Sequence, residues 1–139
     1  MRPQAGVDCA TELYKKAGIT NPRKQVDCAE LYVPFSWYEP MWLEGHDIAG
    51  PGEGWRMVED GATQITGDFP VNASGGVLSS NPIGASGLIR CLEAANQVRG
   101  TAGDYQVDGA NVAIGHAYGG AAQYFAMWIV SSDLQPNFR

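Results

Sequence analysis

Two glycine groups stand where backbone chemistry is available. Gly75-Gly76 and Gly84-x-x-Gly87 flank the start of an apolar-periodic stretch from Leu88 to Val98. A helix there has free N–H groups and the positive end of its dipole at its beginning. An oxyanion or a carbonyl oxygen is the natural guest of such a turn. Tight helix-to-strand packing uses the same residues about as often, and the spacing matches neither a P-loop nor a dinucleotide fingerprint. The three cysteines, Cys9, Cys28 and Cys91, include no Cys-x-x-Cys pair, which speaks against a zinc ribbon or redox site and for structural thiols. His46 lies in Glu44-Gly45-His46-Asp47, with Glu53 and Asp60 following. That spacing fits no standard ligand set, so a solvated loop and no metal are expected. Trp37, Trp42 and Trp55 read first as core packing and second as an apolar wall for a bulky acyl or sterol-like substrate.

Several elements must hold these residues in place. Ala10, Leu13, Tyr14 and Ala17 share one face of a helix over 8–17, closed by Gly18, with Lys15 and Lys16 facing the negative end of the dipole. After the Asn21-Pro22 turn, 25–32 reads as a strand with Val26, Cys28 and Leu31 as core positions. Residues 35–48 suit a helical segment in which Pro40 must sit in the first turn or cause a kink. The clearest helix follows Ser86, with Leu88, Cys91, Leu92, Ala95 and Val98 on one face and Gly100 at its end. Two final strands, 109–114 and 123–130, form a hairpin around the glycine turn 115–120.

The composition bounds the rest. With 139 residues, 45% hydrophobic and 17% charged, the chain is globular and holds one domain. Fifteen acidic against nine basic residues give a net charge of −6, so nucleic acid is not an expected partner. No apolar run is long enough for a membrane span, and none near the start suits a signal peptide. A soluble, cytoplasmic protein is expected. Glycine, at 18 residues, is roughly twice as frequent as usual.

The stretch Pro70-Val71-Asn72-Ala73-Ser74-Gly75-Gly76-Val77-Leu78-Ser79-Ser80-Asn81-Pro82-Ile83-Gly84-Ala85-Ser86-Gly87 resembles the signature of thiolases. Their carboxy-terminal half carries Asn-x-x-Gly-Gly leading into Gly-His-Pro-x-Gly-x-Ser-Gly. Pro51-Gly52-Glu53-Gly54 with Glu59-Asp60-Gly61-Ala62-Thr63 is similar to the lipid-transfer-protein branch linked to sterol carrier proteins. His116-Ala117-Tyr118-Gly119-Gly120 resembles that branch's His-Asn-x-Gly-Gly turn. The resemblance covers residues 5–131, leaving 132–139 as a polar tail.

It implies an α/β fold, one thiolase-like half with a mixed sheet covered by helices, and chemistry on acyl-coenzyme A thioesters. The family's nucleophilic cysteine belongs to the other half. The histidine of Gly-His-Pro is Asn81 in this sequence, which can donate a hydrogen bond to an oxyanion but cannot act as a base. The Asn-Glu-Ala-Phe motif, or His-Asp-Cys-Phe in the lipid-transfer branch, aligns with Ala29-Glu30-Leu31-Tyr32, and the Cys-x-Gly motif falls near Ala113-Ile114-Gly115. The candidate catalytic residues are Asn81, His116 and Tyr118. Those for substrate binding are Ser74, Gly75, Gly76, Gly84, Gly119, Gly120 and Tyr32, with Glu30 as an outer candidate. His116 could serve as general acid or base or be structural, and Tyr118 could polarise a carbonyl. This pattern resembles the thiolase-like steroid side-chain aldolases, which lack catalytic cysteines and act with a small OB-fold partner chain.

Acetyl-CoA acyltransferase chemistry and retro-aldol cleavage are both implied. The alternatives are a non-catalytic thioester-binding or assembly subunit and an inactive gene fragment. No permanently bound cofactor is expected, coenzyme A being part of the substrate. The resemblance starts at the first helix of the half, so the sheet is expected to lack its first, central strand. Either another chain, an N-terminal thiolase half or homologous chain, would supply it, or the sequence is a fragment of a longer open reading frame, in a family whose members are commonly dimers or tetramers.

Overall fold

A computed structural model describes residues 2–133. Helix α1, Gln4–Ala17, begins earlier than expected because the Pro3 carbonyl accepts from the N–H groups of Gly6 and Val7. It ends at Gly18, whose φ of 75° allows its N–H to return to the Tyr14 carbonyl. The short turn α2, Pro22–Gln25, takes up the beginning of the expected strand. What remains is β1, Cys28–Glu30, with Val26, Cys28 and Leu31 buried as expected.

Helix α3, Tyr38–Gly45, carries Pro40 as its third residue, within the first turn where its missing N–H costs nothing. Trp42 is wholly buried, but Phe35, Trp37 and Trp55 are exposed, so core packing holds for only one of the three tryptophans. Helix α4, Gly54–Glu59, abuts α3, since a side chain at Gly54 would meet the Pro40 carbonyl. A loop and the turn α5, Gly76–Ser79, lead to α6, Ser86–Arg99, which ends at Gly100 with φ 68°.

The last two strands are β2, Val112–Gly119, and β3, Tyr124–Ser131. The glycine stretch 115–119 lies inside β2 rather than forming the turn. The reversal is made by Gly120, Ala121 and Ala122, all with positive φ. β3 ends at Ser131, and the tail 132–139 lies, beyond its first two residues, outside the described residues.

The sheet order is β1-β2-β3, with β1 parallel and β3 antiparallel to β2. This corrects the expectation of a gap at the centre. Cys28, Ala29 and Glu30 pair directly with Ala113, Ile114 and Gly115, while Val71 bridges Ala29 from the other side. The backbone is therefore paired continuously across the middle, and any further strand would add at an outer edge.

The pleat of β2 sends alternate residues to two layers. Ile114 joins a core of Tyr14, Leu31, Trp42, Leu43, Ile48 and Phe69 beneath α1 and α3. Ala113 joins a smaller core with Cys28, Ala94, Val107 and Ala110 beneath α6. α6 sits close to β2 because Gly87 faces the Ala117 methyl and Gly115 faces the Cys91 backbone. Its orientation is the opposite of an ordinary amphipathic helix. Ser86, Arg90, Ala94 and Gln97 are buried, while Leu88 and Leu92 are 62% and 53% exposed. No helix among the described residues is long and apolar enough to cross a membrane.

Candidate functional site

β2 places His116 on the face toward α3. It is fully buried, with ring centroids 5.4 Å from Trp42, 5.4 Å from Phe125 and 4.7 Å from His46. The Tyr32 N–H donates to His116 Nδ1 at 3.3 Å, which assigns the ring proton of the neutral tautomer to Nε2. The Trp42 indole N–H donates to the Tyr32 carbonyl at 3.0 Å. Tyr32 thus leaves β1 with both backbone groups tied to the cluster.

His46 is not in a solvated loop. It caps α3 with its ring stacked on Trp42 at 6.2 Å, fully buried, and its carbonyl accepts from the Tyr14 hydroxyl at 2.8 Å. Burial lowers its pKa to about 3. Burial, and secondarily the neighbouring His46, hold His116 well below the ordinary histidine value. Both imidazoles are therefore neutral at pH 7, and His46 Nδ1 and Nε2 and His116 Nε2 have no hydrogen-bond partner among the described residues.

Two residues further along the same face, Tyr118 is half-buried at the rim. Its ring lies 5.2 Å from Tyr32, 5.4 Å from Tyr38 and 5.1 Å from Trp42. Burial first, then its hydrogen bond with Tyr38, raises the phenol pKa, so the group keeps its proton.

The loop carrying Ser74, Gly75 and Gly76 rests on a buried ionic anchor. Asn72, at φ 54°, accepts the Leu31 N–H through Oδ1 at 2.7 Å. Ser74 donates its N–H to Glu30 Oε1 at 3.1 Å and its hydroxyl to Glu30 Oε2 at 2.7 Å. Arg90 Nη1 donates to Glu30 Oε2 at 2.7 Å and to the Ser74 hydroxyl oxygen at 3.0 Å. Burial pushes the Glu30 carboxyl up against the opposing pull of Ser74 and Arg90.

Asn81 and Gly84 lie exposed ahead of α6, where Asn81 Oδ1 accepts from the Ser86 hydroxyl at 2.7 Å. Gly119 and Gly120 are exposed at the hairpin end. The fold thus gathers Tyr32, His116 and Tyr118 in one cluster and seats Ser74 to Gly76 over Glu30. Among the described residues, no hydrogen bond or ring contact joins Asn81 to His116 or Tyr118. Tyr38, His46 and Arg90 are additional members. Arg90 had a legible signal, since Ser86, Arg90 and Gln97 form a second, polar stripe at helical spacing. Tyr38 and His46 stand four residues before and after Trp42, a helical spacing that could have signalled them, and both rings pack on Trp42.

Residues 2–132 match the thiolase C-terminal domain-like family. The chain is 37% identical over 131 residues to an acetyl-CoA acetyltransferase of Methanothermobacter thermautotrophicus, covering 94% of this chain and 34% of that protein. It is 37% identical over 113 residues to sterol carrier protein 2 of Homo sapiens, covering 81% of this chain and 20% of that protein. Among solved structures, a chain of the Ltp2-ChsH2(DUF35) aldolase shares the fold with a TM-score of 0.80 at 24% identity, over 94% of this chain and 32% of that one. The chain thus spans about a third of the acetyltransferase and a fifth of the sterol carrier protein.

Proposed function

Because the chain belongs to the thiolase C-terminal domain-like family, we propose that it is the C-terminal part of an enzyme acting on acyl-CoA thioesters. Of the two chemistries, retro-aldol cleavage has the better support. The observation that carries this reading is the position of Tyr118, a half-buried phenol at the rim of the cluster with its ring 5.2 Å from Tyr32 and 5.4 Å from Tyr38. Acyl transfer to a thiol needs a base beside that thiol, and the position of the family's activating histidine is Asn81 in this chain, which cannot take a proton.

In a retro-aldol step the substrate hydroxyl gives its proton to a base, which the N-terminal half must supply, and the carbon–carbon bond breaks to release an aldehyde or ketone. The electron pair moves onto the thioester carbonyl as an enolate that then takes up a proton at carbon. That carbonyl needs a donor where negative charge develops, and one such hydrogen bond is worth about 3 kcal/mol. Tyr118 supplies it, with the Asn81 amide as a second donor. His116 fixes Tyr32 and the rim through its Nδ1, and Glu30 with Arg90 holds the loop of Ser74, Gly75 and Gly76. An N-terminal half, in the same or another chain, completes the site. The exposed leucines of α6, Leu88 and Leu92, and the exposed Leu78 and Ile83 ahead of it support such a covering partner.

The second reading is a non-catalytic assembly subunit. It is favoured by the substitutions at the family's motif positions, Ala29 and Asn81 for polar residues and Leu31 for the lipid-transfer branch's cysteine.

The test is to express the chain with and without the protein encoded beside it, and to measure acyl-CoA binding and carbon–carbon cleavage. The enzyme reading expects cleavage by the complex and a fall in kcat of about a hundredfold in Tyr118→Phe with binding retained. Binding and cleavage indifferent to that change would leave the assembly reading.

A further inference from the structure

The chain's negative charge is concentrated. Between residues 35 and 60 stand Glu39, Glu44, Asp47, Glu53, Glu59 and Asp60 against Arg56 alone, so this segment carries −5 of the total −6. The same segment holds the exposed Phe35, Trp37 and Trp55. Because Gly54 lets α4 start directly against Pro40, Trp55 is brought opposite α3. Trp37, Tyr38, Pro40, Met41, Glu44 and Trp55 then line a cleft of about 370 Å³.

Glu44 gives the cleft its polarity. One carboxylate oxygen accepts the Gly54 N–H at 3.3 Å, and no cation pairs with the group among the described residues. Trp37 is 71% exposed and, like Trp55, enters no ring-to-ring contact among the described residues. The chain itself displays the contact such a surface favours, since the Arg56 guanidinium lies 5.3 Å from the Trp55 ring centre.

We propose that this cleft docks an arginine side chain presented by a protein partner. Indole faces attract a cation through the ring quadrupole, and a planar, weakly hydrated guanidinium stacks on them better than an ammonium does. Glu44 supplies the counter-charge, and the acidic segment steers a basic surface toward the cleft. The same field repels a fatty carboxylate and the phosphates of a coenzyme, so the apolar walls alone do not make this an acyl site.

Calorimetric titration of the chain with hexa-arginine, hexa-lysine and decanoate tests the proposal. Hexa-arginine should bind saturably, about threefold or more tighter than hexa-lysine, and weaken as salt is raised. Trp37→Ala and Glu44→Gln should each weaken it about threefold. Glu44→Gln retains an acceptor for the Gly54 N–H, and Trp37 is exposed, so both variants should keep the wild-type circular dichroism. Asp108→Asn, an exposed change of equal charge outside the cleft, should leave binding unchanged. Equal weakening by Glu44→Gln and Asp108→Asn, equal affinity for the two basic peptides, or binding of decanoate in their place would overturn the proposal.

Discussion

Arg90 and Glu30, 60 positions apart in the chain, meet at 2.7 Å with both side chains almost wholly removed from water. Removing one member of such a pair leaves an uncompensated buried charge, at a cost of about 3–5 kcal/mol. Arg90→Met should therefore destabilise the chain by about that amount in urea denaturation. Glu30→Met with Arg90→Met should recover a large part of the loss. A loss under about 1 kcal/mol for the single change would show that the pair is hydrated and weak.

Acid should unfold this protein through its histidines. Unfolded histidine titrates near pH 6.5, whereas His46 titrates at about 3 and His116 well below its ordinary value when folded. Between those values the unfolded chain binds the extra protons, so stability falls as pH drops below about 6.5, by about 1.4 kcal/mol per pH unit for each histidine. His46→Leu should remove one histidine's share of that slope, as measured by denaturation at pH 4.5, 5.5 and 6.5. An unchanged slope would mean that His46 is already solvated.

The contact between α6 and β2 depends on an absent side chain. A methyl group at Gly87 would sit 2.6 Å from the Ala117 methyl, so Gly87→Ala should cost about 1–3 kcal/mol through overpacking. Adding Ala117→Gly should restore part of the loss in thermal unfolding. Simple additivity of the two changes would show that α6 shifts without resistance.

Leu88 and Leu92 face outward, so changing both to lysine should alter the chain's own stability by no more than about 0.5 kcal/mol at either site. The same variant should fail to associate with the N-terminal half in size-exclusion chromatography. A large loss of stability in the isolated chain would place the stripe in the core instead.

Local chemistry made several features legible in the sequence. Gly18 and Gly100 close α1 and α6 because a left-handed cap is decided by the residue itself. The run 70–87 carried the family and with it the layered fold. Composition could not tell which face of α6 is inside, because the stripe of Leu88 and Leu92 obeys the ordinary rule of burial while Arg90 overrides it by reaching Glu30. Nor could Gly115 and Gly119 show that they continue β2, since Gly115 accommodates the α6 backbone rather than turning the chain.

The sequence by itself determined where α1 and α6 stop, which residues could donate or accept, and the family to which they belong. Tertiary structure alone decided that His46 is buried against His116, that Tyr118 rather than a histidine reaches the rim, and that the sheet closes without a central gap. The physical reason is common to all three. Protonation, exposure and strand pairing depend on partners distant in sequence, such as Tyr32 on His116 and Cys28 on Ala113, and no local pattern encodes which of them will meet.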